Sequence, residues 1–133
     1  MEKTFRLDII SPLRIEYSND VVHVKAPGIS GYFGVLANHI PFLTLLTVGT
    51  IEIDVHGQHK ILATSGGYSE VLNNKMTILA ESIEGSREID VERAQRARDR
   101  ALKRLHEKHP DTDMERARAA LMRALNRLQA ALG

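Results

Sequence analysis

From Lys3 to about Ser82, apolar residues recur at every second position or in short runs closed by turn-forming residues, which is the signature of β-strands. The pattern predicts strands at Phe5–Ile10, Arg14–Tyr17, Val21–Ala26, Tyr32–Leu36, Phe42–Leu46, Gly49–Val55, His59–Thr64, Tyr68–Leu72 and Lys75–Glu81. Turn signals fall at Ser18-Asn19-Asp20, Pro27-Gly28, Asn38, Gly57, Gly66-Gly67 and Asn73-Asn74. Ile51, Ile53 and Val55 alternate with Glu52, Asp54 and His56, so one face of that strand is expected to be dry and the other wet. Many short strands of this kind close into a sandwich or barrel.

Past Gly85 the period lengthens from strand to helix. Asp90 suits an N-cap, and Ile89 is spaced to staple against Ala94. The first helix is expected to reach about Lys108, where His109-Pro110 stops it. Thr112 and Glu115 have capping-box spacing, and a second helix is expected from Asp113 to about Ala131. Both helices open on a similar phrase, IDVERA at Ile89–Ala94 and TDMERA at Thr112–Ala117. Ala94, Ala97, Ala101 and Leu105 form one apolar stripe; Ala117, Leu121, Ala124, Leu128 and Ala131 form the other. Such small residues let two antiparallel helices approach closely but bury little area, so the hairpin is expected to be weakly held. The fold class is therefore α+β: an N-terminal antiparallel β-sandwich over residues 1–85 and a C-terminal antiparallel α-helical hairpin over residues 86–133.

Composition sharpens this division. The 133 residues carry a formal net charge of +1, but the part up to Gly85 has 6 Lys+Arg against 9 Asp+Glu and the remainder 12 against 8. All six aromatic residues, from Phe5 to Tyr68, lie in the first part. The absence of cysteine excludes disulfides and thiolate metal sites and points to an intracellular setting. The N-terminus, MEKTFRLDIIS, reads as a strand and not as a targeting sequence, and nothing approaches the roughly 18 apolar residues of a membrane span. Membrane association is expected only through a partner.

No catalytic constellation emerges. Ser65-Gly66-Gly67 lacks the G-x-S-x-G context of a nucleophile elbow, and reads as a glycine turn. The histidines His23, His39, His56, His59, His106 and His109 show no metal-ligand spacing, and no dinucleotide fingerprint or Walker lysine is present. What remains is arginine. Arg93, Arg96 and Arg100 share one side of the first helix, and Arg116, Arg123 and Arg127 lie at i, i+7 and i+11 on the second. Two cationic stripes in one hairpin are either a solvated face, paired locally by Glu92, Asp99 and Glu115, or a cradle for a phosphate-rich or carboxylate-rich anion, which the guanidinium fork suits. A nucleic-acid interface would use the same arginines, but the tail has no aromatic residue for stacking.

The stretches GYFGVLANHIPF at Gly31–Phe42, ATSGGYSEV at Ala63–Val71, MTILAES at Met76–Ser82 and the opening IDVERA, in that order and spacing, resemble the epsilon subunit of the bacterial F-type ATP synthase over nearly the whole chain. The resemblance implies a noncatalytic rotor subunit at the cytoplasmic face of the bacterial membrane, peripheral to it, that binds the gamma subunit and the c-ring. It implies that the end carrying Gly31, Tyr32 and His39 faces the ring, although family members often carry an acidic residue where Tyr32 stands and a proline where Ala37 stands. It further implies a hairpin that either lies on the sandwich or extends to the alpha and beta catalytic subunits and blocks ATP hydrolysis. Some members bind ATP in the compact form through a motif matched here by Ile89, Asp90, Arg93 and Ala94, with Glu84 before it, Arg100 a heptad along, and Arg123 and Arg127 on the second helix. ATP is thus the implied regulatory ligand, with magnesium left open. The alternatives are the same subunit with a purely protein-docking hairpin, and a nucleic-acid-binding module.

Overall fold

The computed structural model describes residues 2–133. Ten strands come first: β1 Phe5–Ile10, β2 Ile15–Val21, β3 His23–Gly28, β4 Gly31–Leu36, β5 Phe42–Leu46, β6 Gly49–Val55, β7 Gln58–Thr64, β8 Gly67–Leu72, β9 Lys75–Ala80 and β10 Ile83–Gly85. A short 3-10 turn at Ser86–Glu88 then leads into helix α1, Val91–Glu107, and helix α2, Met114–Ala131. Hydrogen bonding runs continuously in the order β10-β7-β6-β3-β5-β8-β9-β1-β2, with β4 paired to β3. The ladders are antiparallel except that between β1 and β9, which is parallel, Leu7 lying opposite Met76 and Ile9 opposite Ile78.

The alternation read from the sequence decides which side chains go inside. Phe5, Leu7 and Ile9 of β1, Ile51 and Ile53 of β6, and Met76 and Ile78 of β9 are buried in one core with Val21, Val24, Val35 and Val71. Glu52 and Asp54 remain on the wet side of β6, where Lys25, His23 and His59 pair with them across the neighbouring strands. His59 Nδ1 lies 2.5 Å from Asp54 Oδ1 and its Nε2 lies 3.2 Å from Glu52 Oε1.

Two sequence expectations fail in the sandwich. Ser18-Asn19-Asp20 is strand and not turn; the turn lies at Ser11–Arg14, where Ser11 N–H donates to the Arg14 carbonyl at 2.9 Å. Cross-strand pairing overrides turn propensity here: Ser18 Oγ donates to Asp8 Oδ1 at 2.6 Å and also meets Arg6, which reaches Asp20 at 3.8 Å. Pro27 and Gly28 likewise end β3, and the reversal falls at Ile29-Ser30. The three-residue β10 is too short to leave a periodic signal.

The hairpin forms where the period changes. Asp90 caps α1, accepting from Arg93 N–H at 3.1 Å. The cap of α2 is Asp113, accepting from Arg116 N–H at 3.0 Å, and not the expected Thr112. In both repeated phrases it is thus the aspartate of D-x-E-R-A that caps, because its carboxylate reaches the third amide N–H of the helix. α1 ends at Lys108, whose φ of 44° is left-handed. Ala94, Ala101, Ala117 and Ala124 are buried along the seam between the helices. α2 is the helix that lies along β6, β7 and the 3-10 turn, where Ala130 is buried with Ile89 and Ala63. No described helix is long and apolar enough to cross a membrane.

Candidate functional site

One turn and a fraction of α2 presents Arg123, Asn126 and Arg127 together, since positions i, i+3 and i+4 share a helix face. That face meets the sandwich where β6 begins and β7 ends, Gly49 being paired with Thr64 across the two strands. Asn126 Nδ2 donates to the Gly49 carbonyl at 2.8 Å and reaches the Thr64 carbonyl at 3.5 Å. Arg127 Nε lies 2.9 Å from Glu84 Oε1 on β10. That oxygen is buried without a well-aligned hydrogen bond, so the contact is an ion pair by proximity.

Between these groups opens a cavity of about 540 Å³, lined by Ser65, Glu81, Ser82 and Glu84 from the sandwich and by Arg123 and Arg127 from the helix. The volume falls within the roughly 300–1,000 Å³ of small-molecule sites. Its sandwich wall is braced from behind: Thr64 Oγ1 donates to the Ser82 carbonyl at 3.1 Å, and the Ser65 and Ser82 hydroxyls lie 2.7 Å apart. The chemistry is two-sided. The helix wall offers guanidinium donors for an anion, while the carboxylates and serine hydroxyls opposite can accept hydrogen bonds from an amine or a sugar hydroxyl. Arg123 has no carboxylate within ion-pair distance among the described residues and is exposed.

Of the residues expected to bind a nucleotide, Glu84, Arg123 and Arg127 come together in this lining. Ile89, Asp90, Arg93, Ala94 and Arg100 do not line it. Asp90 is engaged as the cap of α1, Ile89 is buried against Ala63 and Ala130, Ala94 is buried in the seam, and Arg93 and Arg100 are exposed on α1. Sequence reading missed Asn126, Ser65, Ser82 and Glu81. Asn126 carried a signal, for an asparagine within an alanine-rich helix is a poor helix former and invites a question about its partner.

The residues expected at the ring end do not gather in one place: Gly31 and Tyr32 open β4 beside the Gly49–Thr50 edge that α2 meets, whereas His39 follows the far end of β4, where Asn38 N–H donates to Asn74 Oδ1 at the β8–β9 turn. Gly31, with φ of 128°, closes the β3–β4 turn in a backbone region that favours glycine. The Tyr32 hydroxyl accepts from Thr50 N–H at 3.0 Å, and Lys25 Nζ stands 5.2 Å from its ring centroid. His39 Nδ1 lies 2.7 Å from the Ile40 carbonyl, so that nitrogen carries the proton, and its ring meets the Phe42 ring edge-on at 6.2 Å. Ile29, Leu36 and Ile40 are exposed nearby in sequence. A further apolar surface went unread in the sequence. Leu45, Tyr68 and Leu79 are in register across β5, β8 and β9 and all three are exposed, with Leu43 and Leu72 on the same strands. Among the described residues, no group of three or more His, Cys, Asp and Glu side chains could hold a metal ion.

Comparison with known proteins agrees with this architecture. The family described as ATP synthase, Delta/Epsilon chain, beta-sandwich domain matches residues 4–86, and that described as ATP synthase, Delta/Epsilon chain, long alpha-helix domain matches residues 87–131. The chain is 46% identical over 105 residues to the ATP synthase epsilon chain of Nitratidesulfovibrio vulgaris (strain DP4), covering 79% of this chain and 78% of that one. It is 48% identical over 107 residues to the ATP synthase epsilon chain of Pelotomaculum thermopropionicum, covering 80% of each. Among solved structures, a chain of the Euglena gracilis mitochondrial ATP synthase, in an OSCP/F1/c-ring assembly, superposes with a TM-score of 0.86 at 22% identity, covering 98% of this chain and 82% of that one. A chain of the Tetrahymena thermophila mitochondrial ATP synthase central stalk and c-ring gives a TM-score of 0.64 at 13% identity, covering 98% of both. At those identities the two structures speak for the fold alone, while the sequence matches identify the lineage. The chain therefore belongs to the delta/epsilon-chain family of the F-type ATP synthase, in its bacterial epsilon branch, as a noncatalytic subunit of that complex.

Proposed function

We propose that the chain links the gamma subunit to the c-ring at the cytoplasmic face of the bacterial membrane, and that its hairpin regulates ATP hydrolysis according to whether ATP occupies the cavity between α2 and the sandwich. The observation that carries this reading is the convergence of Arg123 and Arg127 with Glu84, Ser65 and Ser82 on one cavity whose two walls belong to separable parts of the fold. A ligand that touches both walls binds the compact form better than the extended one, and only such differential affinity shifts a two-state equilibrium. With the cavity empty of ligand, a hairpin docked on the sandwich through the small Ala63, Ile89 and Ala130 cluster leaves more readily and offers its arginines to acidic surfaces of the alpha and beta subunits. The residues fit the ligand: Arg123 and Arg127 would hold the triphosphate, and Glu84 with the serines would accept hydrogen bonds from adenine or ribose.

Two surfaces serve assembly in the same reading. The apolar row Leu45, Tyr68 and Leu79 suits gamma, because so many exposed large apolar side chains on one sheet face call for a protein cover. For the c-ring the β3–β4 turn with Gly31, Tyr32 and the exposed Ile29 is the surface proposed, His39 and Ile40 standing beyond the other end of β4, and the chain's contact with the membrane is then made through the complex.

Calorimetry of the full chain with ATP tests the nucleotide site. Binding is expected, and is expected to weaken by at least roughly tenfold for each of Arg123→Ala and Arg127→Ala, since a hydrogen bond to a charged group contributes about 1.5–3 kcal/mol. No heat at millimolar ATP, or equal binding by the double variant, leaves the second reading, a hairpin that docks on protein alone. One observation favours that second reading: Arg127 already has a carboxylate partner in Glu84. The nucleic-acid reading loses ground to the family assignment, and an absence of salt-dependent oligonucleotide binding removes it.

A further inference from the structure

We infer that Asn126 is the latch of the compact state: its side-chain amide clips α2 to the β6–β7 edge whether or not a nucleotide is present. The inference deepens the switch reading above and rests on it only for its consequence, since the latch itself needs no ligand.

Apolar docking of the hairpin is small. Ala130 and Ile89 are buried against Ala63, with Ile61 and Ala131 half-buried around them, and two of these three buried residues are alanines. Among the described residues, Asn126 makes the side-chain hydrogen bonds between α2 and the sandwich, to the carbonyls of Gly49 and Thr64. The other polar tie, Arg127 to Glu84, joins two side chains that are 42% and 30% exposed, and exposed ion pairs hold weakly. Asn126 is half-buried, and its principal acceptor is rigid. A β-carbon at Gly49 would stand 2.5 Å from Pro27 Cβ and 2.7 Å from the Tyr32 hydroxyl, so the backbone there is packed tightly from the sandwich side. The following residue is tied to that same hydroxyl through Thr50 N–H. A short polar side chain aimed at a fixed carbonyl gives the docking a single geometry, which alanine-on-alanine contact does not. It also stands between Arg123 and Arg127 in sequence and lines their cavity, so that when the latch is closed both arginines face the wall that carries Glu84. Opening the latch disperses the cavity.

Amide hydrogen exchange of the full chain in the absence of nucleotide tests this, because protection of α2 then reports the undocking equilibrium. Asn126→Ala is expected to raise exchange across residues 114–131 by roughly fivefold, the equivalent of one ordinary hydrogen bond. Asn126→Asp, which keeps the shape but turns a carboxylate toward two carbonyls, is expected to raise it further. Exchange in β5, β8 and β9 should stay at the wild-type rate in both variants. Wild-type rates across α2 in both variants overturn the latch. So does faster exchange throughout the sandwich, which would make Asn126 a general stabiliser of the fold. A second arm adds ATP: recovery of α2 protection in Asn126→Ala supports the nucleotide reading, and its absence counts against that reading while leaving the ligand-free comparison, and hence the latch, standing.

Discussion

Replacing Ala124 by leucine should open the hairpin while leaving the sandwich folded. Ala124 is 2% exposed and lies one heptad from Ala117, also 2% exposed; Ala94 and Ala101, at 1% and 2%, line the α1 side. At about 0.8 kcal/mol per buried carbon, four buried alanine methyls supply on the order of 3 kcal/mol to the seam. A leucine adds three carbons where helices approach across small residues, and overpacking of this kind costs about 1–3 kcal/mol. The two magnitudes match, so the seam cannot absorb the change and the helices part. Hydrogen exchange over α1, Val91–Glu107, is expected to accelerate roughly 5–150-fold, the equivalent of 1–3 kcal/mol. Leu125→Ala, at a neighbouring but exposed position, is the control and should change little. In the assembled synthase the same variant should hydrolyse ATP more slowly, because the extended form gains population. Wild-type protection of α1 in Ala124→Leu, with the sandwich intact, would refute the seam as the weak joint.

Three other outcomes probe separate parts of the structure. Gly67 has φ of 146° and a β-carbon there would fall 2.0 Å from the Leu79 carbonyl oxygen, whereas Gly57, with φ of 81°, has nothing within 4 Å; Gly67→Ala should therefore lower stability in a denaturant melt by several kcal/mol, and Gly57→Ala by only about 1. Asp113→Ala should destabilise α2 by about 0.5–2 kcal/mol in the same melt, and Thr112→Ala by much less, since Asp113 is the cap. The hydrogen bond from His59 to Asp54, and then that to Glu52, holds the imidazole above its ordinary pKa, while the same bond holds Asp54 below the usual carboxylate range. A raised histidine stabilises the fold fully below its unfolded value of about 6.5 and loses that contribution as pH rises through the folded value. A lowered aspartate stabilises above about 3.9 and loses its contribution as pH falls through the folded value. The excess Tm of wild type over His59→Gln should thus be greatest near about pH 6 and shrink on the alkaline side; a difference constant across pH contradicts the pairing.

Much of this was legible along the chain because it depends on neighbours in sequence. Alternation at Ile51–Val55 told which face of β6 would be dry, and the switch to helical period past Gly85 told where sheet gives way to helix. The repeated D-x-E-R-A phrase held the correct caps, although the capping-box reading chose Thr112 and overlooked the aspartate beside it. Ser18-Asn19-Asp20 misled for the converse reason: their turn propensity is local, but Asp8 and Arg6 on β1 hold them in a ladder.

The sequence by itself determined most of the elements, the dry and wet faces of β6, the two-part division and the stock of arginines, all of which follow from periodicity and capping over a few residues. Tertiary structure alone decided the parallel pairing of β1 with β9, the choice of α2 as the helix that meets the sandwich, and the gathering of Glu84 with Arg123 and Arg127 while Asp90, Arg93 and Arg100 stay outside their cavity. Periodicity marks a face as apolar without naming the face it will meet; that choice depends on the shapes and hydrogen-bonding groups of segments far apart in the chain, as when Asn126 finds the carbonyl of Gly49.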